Sequence, residues 1–469
     1  MMNTTICAIA TPAGLGATAM IRISGPEAFD IAGKLFSEKS GFGRWEANRA
    51  QFASIYVVVE TQNFASLRIG NPDDKHEILD QVVVTKFVTP HSFTGEDVVE
   101  ISCHGSIYIQ QRIIELLINN GCRMATPGEF TQRAFLNGKL DLPQAEAIAD
   151  LIEAQSETAH HAAMKQLQGE LSDKMAVLRE ELLQMASLLE LELDFSEEEV
   201  EFADRTALLN LLAHIKDEVN RLLQSYKWGT MLKNGIPVAI VGEPNVGKST
   251  LLNAILQRER AIVSDIPGTT RDTIEDTFVL NGTLFRFIDT AGIRESVDTI
   301  EQLGIERTLD TIRRAAIILW ITDARKNDHE IELELSKTTN SIDLDDKKII
   351  LIRNKSDLVS EPSECIQEAI CISAKKGENI DLVLNEIDSF VNENNIRDIT
   401  LLTSERHQAL LNDILASIER TENGLRQQMP TDLVAEDVRM ALHDLGELTG
   451  TVSSEDILNN IFGKFCIGK

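Results

Sequence analysis

Aromatic residues make up only 5% of this 469-residue chain. That scarcity points away from a ring-built core and toward helix-rich packing by Leu, Ile and Ala. No apolar run approaches the roughly 20 residues of a membrane span. The start, MMNTTICAIATP, lacks a basic stretch followed by an apolar one, so no signal peptide is expected. The six cysteines (Cys7, Cys103, Cys122, Cys365, Cys371, Cys466) include no CxxC pair. This argues against a Cys-rich zinc site and a disulfide framework, and fits a reducing cytosol. Cys103 and His104 stand side by side without the second half of a metal site. Positive charge is short as well: 45 Lys and Arg against 74 Asp and Glu leave a net charge of −29. So acidic a chain repels phosphate backbones on average, and nucleic acid would need a local basic patch or a more basic partner. Solubility is the plainer reason for the excess acid. No basic RNA-binding appendage, internal repeat or low-complexity tract is evident.

What is present is ordinary globular composition, 43% hydrophobic and 25% charged, on a chain long enough for about three domains. Residues 1–119 mix β-type runs (ASIYVVVE, DQVVVTKFV) with helical stretches such as IYIQQRIIELLIN, an α+β pattern. From about residue 143 the chain is helix-forming almost throughout. Leu167, Leu171, Met175, Leu178, Leu182, Met185 and Leu189 recur at four- and three-residue steps, one apolar stripe on a long helix facing a core. The acidic SEEEVEFAD reads as a solvated turn that ends this region. From about residue 235 the rhythm becomes strand, glycine turn, helix. IPVAIV, LFRFID, AAIILWITDA and KKIILIRNK are near-continuous apolar runs of the kind buried parallel strands require. Helix returns after about residue 395. The simplest layout is an α/β domain inserted between two helical stretches that pack together. The boundaries fall at 1–119, 120–234, 235–395 and 396–469.

The inserted segment carries chemistry. Gly242-Glu-Pro-Asn-Val-Gly247-Lys248-Ser249 is GxxxxGK[ST], set between an apolar strand and an amphipathic helix. Its glycines let backbone N–H groups turn around phosphates, and the helix N-terminus adds a positive dipole end. Lys248 would reach the β- and γ-phosphates, and the Ser249 hydroxyl would ligate Mg²⁺. A glycine-rich turn that binds nothing is the plain alternative, and three further motifs oppose it. Asp289-Thr290-Ala291-Gly292 follows a strand and offers a carboxylate for the Mg²⁺ water shell and an N–H for the γ-phosphate. Asn354-Lys355-Ser356-Asp357 follows another. The Asp357 carboxylate can accept from the N1–H and 2-amino group of guanine, which adenine does not present. Ser373-Ala374-Lys375 supplies backbone contacts to the base. Between the first two motifs lies Ser264-Asp265-Ile266-Pro267-Gly268-Thr269-Thr270, whose Thr270 can complete the Mg²⁺ shell. Together with Asn245, Val246, Gly247, Lys248, Ser249 and Thr250, these motifs predict a GTPase.

Its hydrolytic device is unusual. A water-orienting glutamine commonly follows DxxG, yet here the residue is Ile293, and no arginine finger is identifiable. Asn245 can offer a carbonyl oxygen beside the phosphates, and the carbonyls of Ser264 and Ile266 can fold over the same point. Such an oxygen cage suits a monovalent cation that supplies the missing positive charge. Asn245 reads equally well as a turn residue that tolerates a left-handed backbone.

Several longer strings complete the picture: ATPAGLGATAMIRISGP, SFTGEDVVEISCHGS, PGEFTQRAFLNGKLDLPQAEAIADLI, ELDFSEEE, GTTRD, DTAGIRESVDTIEQLGIER and the terminal FCIGK. Through these, in this order, the chain resembles along its whole length the family of tRNA modification GTPases called MnmE or TrmE. The resemblance implies a multidomain α/β plus α fold. Its parts are an N-terminal α+β folate-binding domain, a split helical domain and an inserted Ras-like P-loop GTPase domain with a mostly parallel sheet. It implies a cytoplasmic homodimer formed through the N-terminal domain, with no membrane association. It further implies an FAD-dependent partner, MnmG (GidA), completing a heterotetramer. Together they would add a carboxymethylaminomethyl or aminomethyl group to C5 of the wobble uridine of certain tRNAs. The one-carbon donor would be 5-formyl- or 5,10-methylene-tetrahydrofolate, and K⁺-dependent pairing of the GTPase domains would activate hydrolysis.

Residue by residue, the resemblance places K⁺ on Asn245, Ser264, Ile266 and Thr269, and Mg²⁺ on Ser249 and Thr270. Glu301 matches a glutamate that orients the attacking water through a second water, though by itself it reads as a surface helix carboxylate. Arg22, Glu100, Lys139 and Lys469 match folate-binding positions. Cationic side chains suit a glutamate tail, and a carboxylate suits pterin donors. The terminal CIGK is not a prenylation box, which wants aliphatic residues and a different last residue. The tail is expected to fold back onto the folate pocket with Lys469 at the ligand. Cys466 either reacts, as the family's cysteine implies, or packs, as small buried thiols commonly do. PAGLGA stands where a turn richer in glycine and arginine is common in the family, and NPDDKHE reads as an added mobile polar loop. Two rival readings remain, an assembly GTPase whose flanking domains only bind RNA and a folate-dependent carrier in which GTP is merely regulatory.

Overall fold

The computed structural model describes residues 4–37, 40–58, 76–194, 205–258, 276–288, 309–339, 344, 347–359, 369–394, 401–463, 465, 467 and 468. The expected turn at SEEEVEFAD and most of the NPDDKHE loop lie outside the described residues. The chain forms two compact units, Met1–Ala149 with Gly446–Lys469, and Asp150–Leu445.

The first unit is built on a six-stranded sheet. Its strands are β1 (Ile6–Ile9), β2 (Thr18–Ser24), β3 (Ala50–Val58), β4 (His76–Phe87), β5 (Val98–His104) and β6 (Arg123–Met124). They lie in the order β3-β4-β5-β2-β1-β6, antiparallel except for β1 with β6. Strict alternation decides its two faces. Ile21, Ile23, Val99, Ile101, Val82 and Val84 are buried, against α1 (Ala28–Gly33) and α2 (Ile107–Asn119), which contributes Ile113, Ile114 and Leu117. The alternate residues Arg22 and Glu100 face the other way, because successive side chains of a strand point to opposite faces. Phe130 of α3 (Glu129–Leu136) packs on Ile6 and Ala8 of β1, while α3, α4 (Leu142–Glu153) and the last helix, Glu455–Phe462, meet around a small core of Leu142, Ala145, Leu458, Phe462 and Phe465.

The second unit contains a sheet of the opposite kind. Strands β7 (Ile236–Val241), β8 (Asp276–Leu280), β9 (Thr283–Phe287), β10 (Ile317–Asp323), β11 (Lys348–Asn354) and β12 (Ile370–Ile372) lie in the order β12-β11-β10-β7-β9-β8. All neighbours are parallel except β8 with β9. Every residue of β7 is buried. Val238 and Ile240 feed one core, and Ala239 and Val241 feed another on the opposite face. A strand covered on both sides has no reason to alternate, which is why these runs read as unbroken apolar stretches.

The helical part of this unit departs from expectation at one place. The apolar stripe that begins at Leu167 does not lie on one long helix. Leu167 ends α5 (Glu157–Leu167), and Leu171, Met175, Leu178, Leu182, Met185 and Leu189 are buried along α6 (Glu170–Asp194). The break is at Gly169, whose φ of 97° no helix can hold. In α7 (Arg205–Asn234), Leu208, Leu212, Ile215, Val219 and Leu222 make a second buried stripe. It packs on the helix Glu405–Arg426, whose buried residues include Leu411, Ile414 and Ile418.

Candidate functional site

The phosphate loop leaves β7 and enters α8 (Lys248–Arg258). Two glycines make the path possible. A Cβ on Gly242 would lie 2.1 Å from the Ile321 carbonyl oxygen, and one on Gly247 would lie 2.2 Å from Asn354 Nδ2. Both adopt positive φ, 154° and 105°. Val246 is buried beneath the loop, while Ser249 and Thr250 are exposed on the first turn of α8. Lys248 Nζ donates to the carbonyls of Gly242 (2.8 Å) and Glu243 (2.9 Å), at the mouth of the loop. Burial lowers the pKa of this ammonium.

Asn354 ends β11 and ties the motifs together. Its Nδ2 donates to the Val246 carbonyl at 2.8 Å, and its Oδ1 accepts from the Ala374 N–H at 2.9 Å. One buried side chain therefore holds the phosphate loop against the Ser373–Lys375 loop. Lys355, at a φ of 67°, donates to Asp323 Oδ2 at 3.0 Å. Asp357 is exposed, and its Oδ1 accepts from the buried Ser373 hydroxyl at 2.8 Å. That hydrogen bond, helped by Lys376 and Lys375, holds the Asp357 carboxyl below its usual range. The expected guanine reader is thus a charged acceptor at a fixed position, braced from behind.

Sequence reasoning missed Asp323. It closes β10, and hydrogen bonds from Arg325 and then Lys355 keep its carboxyl well below the usual range. The signal was available in AAIILWITDA, a carboxylate at the C-terminal end of a buried parallel strand, where open α/β sheets bind their ligands. Lys326 was missed too; it bridges Glu243 of the phosphate loop (2.7 Å) and Glu334 (2.9 Å).

The structure brings together Asn245 (φ 61°, exposed), Val246, Gly247, Lys248, Asn354, Lys355, Asp357, Ser373 and Ala374 at the strand ends. The left-handed backbone at Asn245 is what a turn requires and equally leaves the side chain outward. Ser264, Asp265, Ile266, Pro267, Gly268, Thr269, Thr270, Asp289, Thr290, Ala291, Gly292 and Glu301 lie outside the described residues, as do Cys466 and Lys469.

A second constellation sits on the first unit. Arg22 and Glu100 are register partners across β2 and β5. The guanidinium donates to Glu100 Oε1 from Nε (2.9 Å) and pairs with it through Nη2 (2.8 Å). The rings of Phe93 and Phe130 flank it at 5.4 and 5.7 Å. Its Nη1 reaches the Gly468 carbonyl at 3.5 Å. Phe93 belongs to the loop that runs on to Gly95. A Cβ on Gly95 would lie 3.5 Å from Cε of the exposed Lys139. Phe93, Phe130 and Gly468 were not anticipated; aromatic residues near a cation carry no spacing signature. Beside them, Arg133 pairs with Glu96 (3.0 Å) and Glu129 (2.9 Å), and Glu129 also takes Arg123. Burial alone would raise the Glu129 carboxyl, but the bonds from Arg123, the Thr126 N–H and Arg133 hold it at about 2. His104, set aside as a metal ligand, lies against the buried Asp80 at 2.6 Å.

Residues 5–139 match the family model for the GTP-binding protein TrmE N-terminus. Residues 142–466 match the model for the MnmE helical domain, which alone spans more than half the chain. This chain belongs to the MnmE (TrmE) family. Whole-length relatives agree with the models. The tRNA modification GTPase MnmE of Flavobacterium psychrophilum is 48% identical over 99% of both chains. Those of Christiangramia forsetii and Porphyromonas gingivalis are each 45% identical, over 100% of both chains and over 99% of this chain and 98% of the other. MnmE membership therefore covers both constellations, the strand-end loops and the Arg22–Glu100 face.

Proposed function

We propose that this chain hydrolyses GTP in the service of tRNA modification, adding a carboxymethylaminomethyl or aminomethyl group to C5 of the wobble uridine. The observation that supports it most is Asn354. By joining the phosphate loop to Ser373–Lys375, it makes one site of the phosphate-binding and guanine-reading parts, with Asp357 as the acceptor that rejects adenine. In this reading Lys248 meets the β- and γ-phosphates, and Ser249 and Thr270 hold Mg²⁺, whose exposed hydroxyl donor on the first turn of α8 fits a hard cation. Bound there, Mg²⁺ would neutralise phosphate charge and K⁺ would contribute the positive charge that an arginine gives elsewhere. Asn245, Ser264, Ile266 and Thr269 supply neutral oxygens to K⁺, and Glu301 orients water.

The Arg22–Glu100 pair, walled by Phe93 and Phe130, is suited to a planar heterocycle carrying both donors and an anionic tail. That supports 5-formyl- or 5,10-methylene-tetrahydrofolate as the ligand, with Lys139 and Lys469 toward its carboxylates and Cys466 acting nearby. The layout is a folate-binding domain, a split helical domain and an inserted GTPase domain, working in the cytoplasm. The proposed assembly is a homodimer joined by the FAD-dependent partner MnmG. Because this chain carries a net charge of −29, the partner supplies much of the tRNA-binding surface. The decisive test measures GTP turnover at equal ionic strength in K⁺ and in Na⁺. Turnover should be at least about a hundredfold faster in K⁺, the scale of one lost charge-stabilising contact; equal rates would remove the cation from the mechanism.

A further inference from the structure

Among its described residues, the tail of the chain is anchored at Phe465 and Gly468. Phe465 is buried with Phe462, Leu142 and Leu458, its ring 5.5 Å from that of Phe462. Three residues on, Gly468 is buried as well, whereas Ile467 between them is 53% exposed. A Cβ on Gly468 would lie 2.4 Å from the Ile9 carbonyl oxygen and 3.0 Å from the Ala10 Cα, and its φ is 97°. Only a residue without a side chain can lie so close to the end of β1 in that conformation. Its carbonyl then points to Arg22 Nη1 at 3.5 Å, completing the set of acceptors and rings around that guanidinium.

We propose that Gly468 is a positioning residue for the Arg22–Glu100 site, its bare Cα letting the terminal segment close on Ile9–Ala10 and set a carbonyl on Arg22. Ligand affinity at that site then depends on the backbone at position 468. This rests on the folate reading above. Phe465 holds the segment's near end by apolar burial, and among the described residues Gly468 holds the far end. A side chain at position 468 would lift the carbonyl off Arg22 without disturbing either core.

The test titrates 5-formyltetrahydrofolate into the full chain and into Gly468→Ala. In parallel, it follows removal of the last residues by a carboxypeptidase. Binding should weaken about tenfold or more, as expected for a left-handed non-glycine residue that loses its contact. Carboxypeptidase should trim the variant several-fold faster, with the thermal midpoint unchanged. Gly41→Ala serves as control: Gly41 has a φ of 68° and nothing within 4 Å of its Cβ position, so it carries the backbone strain alone. Unchanged affinity in Gly468→Ala would overturn the proposal, whether or not the tail is trimmed faster, because the glycine would then serve packing only. Failure of the unaltered chain to bind 5-formyltetrahydrofolate would instead overturn the folate reading. The trimming rates would then decide the anchor: equal rates in chain and variant would overturn it too.

Discussion

The two sheets present their functional residues in opposite ways. In the second sheet all strands but β8 run parallel and end at the same edge, so loops that follow β7, β10, β11 and β12 meet there. Each loop is a short local string, and Asn354 staples two of them together through hydrogen bonds of 2.8 and 2.9 Å. In the antiparallel sheet the site lies on a face, and its members come from positions 22, 93, 100, 130 and 468. Nothing local marks them. The comparison teaches that a strand-end site is encoded in motifs, while a face site is encoded in topology.

The sharpest way to break this comparison is at Asp357. If the strand-end site is truly local, one acceptor carries base choice. Asp357→Asn replaces an oxygen that accepts from guanine with an amide N–H₂. Two charge-assisted bonds of about 1.5–3 kcal/mol each are lost, so GTP should bind roughly a hundredfold to ten-thousandfold more weakly. Xanthosine triphosphate, whose 2-oxo group accepts a hydrogen bond where guanine donates one, should bind more tightly to the variant than GTP does. Equilibrium titration with fluorescent analogues of both nucleotides reads the exchange. Retained GTP preference would show that base choice lies elsewhere.

The face site depends on its support, and Glu129 tests that. Its carboxyl is held at about 2, below the ordinary glutamate value near 4.3. The folded pKa is depressed, so the stabilisation is fully present above about pH 4.5 and is lost as pH falls toward 2. Its size is about 3 kcal/mol, reasonable for a side chain only 9% exposed. Glu129→Gln should destabilise the protein by about that amount at pH 7 and flatten the stability curve between pH 4.5 and 2. Denaturant melts at a series of pH values measure both. A curve as steep as that of the unaltered chain would place the acid sensitivity in other carboxylates.

Much of the second unit was legible in advance. IPVAIV is β7 residue for residue, since a strand buried on both faces has only one composition to choose from. The GxxxxGK, NKSD and SAK strings lie at the ends of β7, β11 and β12, because their spacing is dictated by one loop each. The helical stripe was legible in its residues but not in its continuity: Gly169 stops the helix by one dihedral angle, and the apolar rhythm simply resumes beyond it. Arg22 and Glu100 entered through family resemblance. Their neighbours Phe93, Phe130 and Gly468 could not, since cross-strand register and a tail folded against β1 depend on the whole chain.

The smallest effect sharpens the comparison most finely, because it asks whether a strand-end site has any support of its own. Ser373 is 1% exposed, and its hydroxyl donates to Asp357 Oδ1 at 2.8 Å. That bond is the leading reason the exposed carboxyl titrates low. Removing the hydroxyl in Ser373→Ala leaves Asp357 charged at pH 7 but free to rotate. The loss should be that of one hydrogen bond, about 0.5–1.5 kcal/mol, or roughly two- to twelvefold in GTP affinity. Without the donor, the carboxyl titrates at higher pH than in the unaltered chain. The affinity ratio between chain and variant should therefore widen as pH falls from 7 toward the variant's carboxyl range, since a protonated Asp357 no longer accepts both guanine donors. Titrations of GTP at pH 7 and pH 5 measure the ratio. A ratio that stays constant would mean that Ser373 only orients the carboxylate and does not tune its charge, leaving the two lysines of the same loop as the electrostatic support.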